Sequence, residues 1–256
     1  MIDETLALGD SPVHRIDPRL RVGAATLLSV AVAVSRSLTV PAAATVGALF
    51  LVAAARPPLR VVPRRLAMLW IFLLLLWMTL PFTRPGTPLW TLGPLVATRP
   101  GLLLAAAVSL KSTAILLFLL ALVATLDAAT LGHALYRFRV PEKLVHLLLL
   151  AYRYIFVIEA EYRRMRRAAR LRGFRPKTDP HTYRTVAWML GMLFVRSAAR
   201  ADRVARAMRL RGFSGRFRSL RTFAFTRTDG LWTALFLAGL AGLLVLEFHP
   251  VPGWTI

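Results

Sequence analysis

Residues 66–82, LAMLWIFLLLLWMTLPF, form a run of seventeen residues that contains no charged side chain. A run of this length and apolarity is long enough to cross the hydrocarbon core of a bilayer as a single helix. Hydrophobic residues make up 57% of the chain, above the roughly 45–50% of ordinary soluble domains, so further spans are expected. The sequence therefore predicts an all-α, polytopic membrane protein.

Four more apolar runs predict membrane-spanning helices. They lie at about residues 20–34, 38–55, 101–126 and 231–248. The first is entered through Asp17, a helix-capping residue type, and Pro18, which suits the first turn of a helix. The segment that contains Pro85, Gly86 and Pro88 is predicted to be a loop between the third and fourth spans. The predicted count is therefore about five transmembrane helices.

The arginines are distributed unevenly between the two sides of these spans. One side carries Arg15, Arg19, Arg21, Arg56, Arg60, Arg64 and Arg65, whereas the other carries Arg36, Arg84 and Arg99. Cytoplasmic loops retain an excess of Lys and Arg. We therefore predict a multi-pass protein of the bacterial cytoplasmic (inner) membrane, with its N-terminus in the cytoplasm and its C-terminus outside.

The chain divides into three predicted segments. Residues 1–126 hold the first four spans, residues 127–229 form a cytoplasmic region, and residues 230–256 hold the last span. The middle segment carries most of the arginines behind the formal charge of +22. It is predicted to contain two long helices, one over residues 142–173 and one that begins at Asp179 and Pro180.

A short basic phrase occurs twice, as AARLRGF at residues 168–174 and AMRLRGF at residues 207–213. Its glycine is suited to the left-handed residue that ends a helix, and its last arginine lies on the final turn, where a cation is favoured. The phenylalanine that follows is an apolar anchor. Two interpretations stay open on the residues alone: arginines that hold lipid headgroups, or two docking knobs for a two-fold symmetric partner.

No set of residues indicates an enzyme or a metal site. The five histidines are scattered without ligand spacing, and no phosphate-binding loop, nucleophile elbow or paired acid set occurs. Cysteine is absent. The few helical acids, Glu159 and Glu161 among them, are interpreted as partners of nearby arginines. We predict no catalytic residues, no metal ligands and no cofactor.

Lys111 lies about ten residues into the fourth predicted span, where a charge is costly unless it meets a partner or a cavity. Two interpretations stay open. It either lines a substrate path, or it snorkels or pairs with a neighbouring span.

Three stretches of the chain carry a family resemblance. They are GDSPVHRIDPRLRV before the first span, RVPEKLVHLLLLAYRYIFVIEAEYRRMRRA in the first long cytoplasmic helix and RAMRLRGFSGRF at the end of the second. In order and spacing they resemble the transmembrane (T) component of energy-coupling factor (ECF) transporters, the CbiQ/EcfT family, and most closely its cobalt-type branch.

The resemblance implies an L-shaped helical scaffold that does not catalyse a reaction and has cytoplasmic coupling helices. In the family, two such helices end in Ala-Arg-Gly or Ala-Arg-Ser motifs that dock into grooves on a pair of ABC-type ATPase subunits. The matching positions here are Leu171, Arg172, Gly173, Leu210, Arg211 and Gly212, with Phe174 and Phe213 as docking support. Leucine stands where the family motif has alanine.

The resemblance also implies further partners and a mechanism. ATP-driven motion of the ATPase pair would pass through the coupling helices to a substrate-binding (S) membrane subunit, with room for a small accessory membrane subunit and no nucleic acid. Cobalt is the implied ion, and nickel or a vitamin is the alternative. A rival of another class is a basic membrane anchor that binds anionic lipid or nucleic acid, and a third is an integral membrane enzyme.

Overall fold

A computed structural model of the chain describes residues 11–57, 61–83, 85–92, 95–138, 140–213 and 227–248. These residues are almost entirely helical, which confirms the predicted all-α class. After a short 3-10 helix at Pro12–Arg15, the elements in chain order are α1 (Pro18–Val34), α2 (Thr39–Ala55), α3 (Val61–Thr83), β1 (Pro88–Leu92), β2 (Leu95–Thr98), α4 (Arg99–Leu122), α5 (Ala128–Arg137), α6 (Glu142–Leu171), α7 (Pro180–Leu210) and α8 (Arg227–Phe248).

The chain folds as two compact units. The first contains residues 1–134 and 223–256, and the second contains residues 135–222. In the first unit α4 packs against α1, α2 and α3, while α8 packs against α1 and α2. The division of the chain at residues 126 and 229 into membrane and cytoplasmic parts stays a prediction.

Three of the described helices are long and apolar enough to cross a membrane. They are Val61–Thr83, Arg99–Leu122 and Thr228–Phe248, of 23, 24 and 21 residues. Helices α1 and α2 have 17 residues each, near the lower limit for a span. All five predicted spans are thus helices, and the spanning role of α1 and α2 stays a prediction.

Small and branched side chains form the core between these helices. Ala25 and Leu28 of α1, Ala48 of α2 and Ala114 and Leu117 of α4 are all buried in one apolar cluster. Alanine lets helix backbones approach closely, which is how helices associate where lipid removes the usual hydrophobic driving force. The same principle applies where α4 begins, because a Cβ on Gly101 would lie 2.7 Å from the Leu80 carbonyl oxygen.

Helices α1 and α8 run in the same direction. At their starts, the Asp17 amide donates to Asp229 Oδ1 at 2.9 Å. Beyond the end of α1, the Arg36 amide donates to Oε1 of Glu247, near the end of α8, at 2.8 Å. The two helices therefore begin together and end together, as an odd number of spans requires.

The segment between α3 and α4 differs from the loop that its prolines predict. Strands β1 and β2 form an antiparallel hairpin in whose backbone register Trp90 is paired with Ala97 and Thr91 with Val96. Tryptophan, threonine and valine are residue types favoured in strands. The prediction of a loop was therefore wrong for Pro88–Leu92 and Leu95–Thr98, where strand-favouring residue types outweigh the prolines.

Candidate docking site at the helix tips

Helix α6 ends in a Schellman motif. Gly173 follows the capping residue Arg172 with a φ of 85°, in the left-handed region that glycine enters without the steric cost that other residues bear. The Phe174 amide donates to the Ala169 carbonyl oxygen at 3.0 Å, and the Gly173 amide donates to that of Arg170 at 3.0 Å. These are the two hydrogen bonds that define the motif.

Helix α7 ends in the same way. Gly212 has a φ of 78° and follows the capping residue Arg211. The Phe213 amide donates to the Met208 carbonyl oxygen at 3.1 Å, and the Gly212 amide donates to that of Arg209 at 3.0 Å. The predicted left-handed glycines are confirmed, and the repeated phrase folds into two matching helix ends.

Both tips present a leucine and an arginine to the outside. Leu171 is 90% exposed and Leu210 is 89% exposed, and Arg172 and Arg211 are exposed beside them. An aliphatic side chain left this open gains nothing from its position unless another surface covers it. A Cβ added at either glycine would meet no atom within 4 Å, so each tip is also open on its glycine side.

The two phenylalanines that follow the glycines are half-buried. The Phe174 ring lies 6.4 Å from the His181 ring, centroid to centroid, so part of its surface packs on the first turn of α7. Phe213 is held at the tip through its amide, as described above. Their role as docking support stays a prediction.

The start of α7 is fixed by the predicted cap. The Thr182 amide donates to Asp179 Oδ1 at 2.7 Å, and Pro180 occupies the first turn. Hydrogen bonds from Thr182, first from its side chain and then from its amide, lower the pKa of the Asp179 carboxyl. The carboxylate form is therefore the one that caps the helix.

An ion pair joins α6 to α7. Arg196 of α7 donates to Glu161 of α6, and Arg164 lies 3.6 Å from the same carboxylate. Within α6, Glu159 pairs with Arg163, which lies one turn after it. The prediction that these two acids are partners of arginines is confirmed, whereas the sequence did not indicate which arginine bridges the helices.

The two tips lie on opposite sides of the point where α6 and α7 meet. The α6 tip adjoins the first turns of α7, where Phe174 meets His181, and it lies about 16 Å of helix beyond Glu161. The α7 tip lies about 22 Å of helix beyond Arg196 in the other direction. The structure therefore does not bring the two motifs together but holds them apart.

An open groove of about 540 Å³ lies beside the α6 tip. It is lined by Met165, Trp188, Met189 and Met192, together with Arg172 and Arg196. Methionine and tryptophan give it an adaptable apolar wall. The groove continues the exposed surface of the α6 tip.

The family model for the cobalt transport protein CbiQ matches residues 9–222 of the chain. That match includes both helix tips and every described helix except α8. The chain belongs to the CbiQ family.

Relatives of this CbiQ-family chain carry two kinds of name. The energy-coupling factor transporter transmembrane protein EcfT of Listeria innocua is 29% identical, and the match covers 91% of this chain and 93% of the relative. The EcfT of Acidaminococcus fermentans is 28% identical, with 95% of each chain covered. The cobalt transport protein CbiQ of Rhodobacter capsulatus is 32% identical over 46% of this chain and 48% of its own length. The chain is accordingly an ECF transporter T component.

Lys111 of this CbiQ-family chain pairs with a neighbouring helix. Its ammonium group donates to the Ala33 carbonyl oxygen at 3.2 Å and also to that of Ser35. Both carbonyls lie at the C-terminal end of α1, where a cation is favoured by the unpaired carbonyls and the helix dipole. Of the two interpretations of Lys111, the pairing with a neighbouring helix is confirmed.

The described part of this CbiQ-family chain holds no group of three or more His, Asp or Glu side chains that could bind a metal ion. The sequence has no cysteine to add to such a group. Among the described residues, the contacts that the sequence did not predict are hydrogen bonds that hold helices together. Arg21 is the clearest, because nothing in its local sequence indicates a buried side chain.

Proposed function

We propose that this chain couples ATP-driven motion of a pair of ABC-type ATPase subunits to a substrate-binding membrane subunit, without catalysing a reaction itself. The relatives named energy-coupling factor transporter transmembrane proteins support an assembly of this kind. In the proposal, Arg172 and Arg211 each enter one groove on one ATPase subunit. Leu171 and Leu210 supply the apolar contact beside them.

The separation of the two tips is the observation that carries this proposal. The two matching helix ends lie on opposite sides of the helix crossing. This arrangement suits two equivalent pockets that are separated from each other. A symmetric pair of subunits presents such pockets by construction. A single small ligand or one shared pocket would instead require the tips to converge.

The chemistry of each tip suits a protein groove. A guanidinium group forms forked, charge-assisted hydrogen bonds with carboxylates or carbonyls, and a Leu side chain contributes about 1.5–3 kcal/mol when it is fully buried. The left-handed glycine lets the chain turn away immediately after the arginine. Closure of the ATPase pair would then move both tips together with their helices.

Exposed apolar side chains on the α6–α7 pair support a second contact, with the substrate-binding subunit or an accessory membrane subunit. They include Leu147, Ile155, Phe194 and Val195. Such a surface requires lipid or an apolar protein partner to cover it. We assign it to the membrane subunit because the tips are already committed to the ATPases.

Cobalt ion is the proposed substrate, on the strength of the family description, and nickel is the near alternative. A vitamin is the further alternative. The ion would be bound by the separate substrate-binding subunit, so the isolated chain should bind Co²⁺ or Ni²⁺ only weakly in calorimetry. It should also show no ATP hydrolysis of its own. The proposed location is the bacterial inner membrane, with the N-terminus in the cytoplasm.

The rival from another class is a basic anchor for anionic lipid or nucleic acid. A polyanion held by scattered arginines dissociates steeply as salt rises, whereas a docked guanidinium beside a buried leucine is less sensitive. The matched motifs at both tips favour docking over a general basic surface. We therefore propose no nucleic-acid partner.

Copurification tests the proposal. The tagged chain is expressed with its candidate ATPase and membrane partners and isolated in mild detergent, and the bound subunits are counted by native mass spectrometry. We expect two ATPase copies on the wild-type chain. Arg172→Glu or Arg211→Glu should weaken the contact at one tip by about 2–5 kcal/mol, and the double variant should release both ATPases while the membrane subunit stays bound.

Matched controls are Arg167→Glu and Arg206→Glu. Each of these exposed arginines lies five positions before the tip arginine of its helix, so the charge change is equal and the local position similar. The control pair should retain both ATPases. Equal loss in the control pair would mean that the arginines act as a general basic surface, and the docking assignment would then fail.

A further inference from the structure

The groove beside the α6 tip is built from one face of α6 and one face of α7. It holds about 540 Å³, within the range of about 300–1,000 Å³ typical of binding sites. On α7, Trp188, Met192 and Arg196 line it at intervals of four positions, the spacing of a single helix face. On α6, the short side chains of Ala168 and Ala169 line it and leave room between the two helices.

The walls of the groove suit an apolar side chain of another protein. Trp188 is 74% exposed and Met192 is 49% exposed, and large apolar side chains gathered on a surface mark a site that a partner covers. Arg172, His181 and Arg196 also line the groove. Groups of this kind are rare in contact with hydrocarbon, so a protein fits the groove better than a lipid chain does.

The two arginines of the groove differ in their pairing. Arg196 donates to Glu161, so its charge is compensated within the helix pair. The side chain of Arg172 makes no ion pair or hydrogen bond with any residue that the structure describes. The groove therefore carries an unpaired guanidinium group at the end that adjoins the tip, where a carboxylate of the partner would be favoured.

The position of the groove indicates which partner fills it. Arg172, Gly173 and Phe174 line the groove and also form the α6 tip, so the two surfaces are continuous. We propose that the ATPase subunit that takes Arg172 also inserts an apolar side chain into this groove, beside an acidic side chain that pairs with Arg172. This inference rests on the proposed docking of the ATPases.

The groove makes the two docking sites of the chain unequal. Both sites offer the same Leu-Arg-Gly tip, and the α6 site adds the groove because the start of α7 forms its second wall. The α7 tip lies about 22 Å of helix beyond Arg196, and none of its residues lines the groove. Removal of the groove side chains should therefore weaken the α6 site and spare the α7 site.

A titration of the ATPase subunit onto chains with a single intact tip tests this inference. The purified full chain in detergent carries either Arg211→Glu, which leaves the α6 tip, or Arg172→Glu, which leaves the α7 tip, and native mass spectrometry gives the affinity. With Arg211→Glu, the added changes Trp188→Ala and Met192→Ala should weaken binding about tenfold, as loss of a buried aromatic anchor does. With Arg172→Glu, they should change it less than about twofold.

Tyr183→Ala is the matched control. Tyr183 is an aromatic residue of α7 that is 64% exposed, and it lies five positions before Trp188 and outside the groove lining. Its removal should leave both affinities within about twofold. Trp188→Phe keeps an aromatic ring and should retain most of the affinity of the α6 site. Because these side chains are exposed, the unfolding temperature should stay that of the wild type in every variant.

A photoreactive phenylalanine analogue in place of Met192 identifies the occupant directly. In the assembled complex we expect it to crosslink to an ATPase subunit. A crosslink to the membrane subunit, or unchanged ATPase binding in the groove variants when Arg172→Glu does weaken it, would overturn the inference and leave the docking of the tips intact. If neither Arg172→Glu nor Arg211→Glu weakens ATPase binding, the proposed function fails and this inference fails with it.

Discussion

Glu161 and Arg196 form an ion pair that joins α6 to α7 across 35 positions of sequence. The ion pair lies between the two tips. It therefore fixes the position of α6 relative to α7, the two helices that we assign to coupling. Glu161→Gln should therefore loosen the pair, and faster amide exchange near the crossing would report it. Glu159→Gln, which removes a pair within α6, is the control and should leave α7 unchanged.

The same ion pair has a defined pH dependence. The hydrogen bond from Arg196 lowers the pKa of the Glu161 carboxyl, so the folded pKa lies below the usual value of about 4.3. The stabilisation is complete above that usual value and is lost as the pH falls through the lowered pKa. Exchange near the crossing, corrected for intrinsic rates, should rise only below about pH 4, and Glu161→Gln should abolish that rise.

Arg21 ties the start of α1 to the end of α4. Its Nε donates to the Leu122 carbonyl oxygen at 3.1 Å and its Nη2 to the Thr125 hydroxyl, and the side chain is only 1% exposed. Arg21→Ala should lower the free energy of unfolding in detergent by about 3 kcal/mol, since two hydrogen bonds from a charged donor are lost. Arg21→Lys should recover only part of this, whereas Arg64→Gln on the surface should have almost no effect.

Membrane topology provides a further prediction. The arginine asymmetry predicts that reporter fusions at Arg206 and Arg60 report the cytoplasm and that a fusion at Trp254 reports the outside. Arg60 and Trp254 lie outside the described residues, while the common direction of α1 and α8 supports opposite sides for the two ends. A cytoplasmic reporter signal at Trp254 would contradict the count of five spans.

Local signals in the sequence predicted the helix ends. They could not predict contacts between residues that lie far apart in the chain. Asp17, Asp179, Gly173 and Gly212 act within a few residues of themselves, so their capping roles could be predicted from spacing alone. The partner of Arg21 is about a hundred positions away, and only the packing of α1 on α4 determines it. The same holds for Lys111, where the sequence left two interpretations and the C-terminal end of α1 decided between them.

The tip glycines provide a test of geometry without a change of charge. At Gly173 and Gly212 the added Cβ of alanine would meet no neighbour. The only cost of Gly→Ala is therefore the strain of alanine in the left-handed backbone conformation, about 1 kcal/mol per site. We expect each Gly→Ala variant to weaken ATPase binding because the arginine is reoriented. Gly→Asn should restore much of it, since asparagine tolerates this conformation. Binding that is equal in the Ala and Asn variants would contradict a role for the turn.

The tip leucines distinguish a docked motif from a charged surface most directly. Leu171 and Leu210 are about nine-tenths exposed, so Leu→Ala at either position should leave the stability of the chain within about 0.5 kcal/mol of the wild type. If each leucine is buried in an ATPase groove, the same change should weaken ATPase binding by about 1–2 kcal/mol per tip, because the apolar area buried there is reduced. Affinity measured at two salt concentrations checks the cause, since an apolar loss is nearly independent of salt and an electrostatic one is not. Unchanged binding in the double Leu→Ala variant would mean that the leucines stay exposed in the complex. The proposed burial of the tips in ATPase grooves would then be wrong.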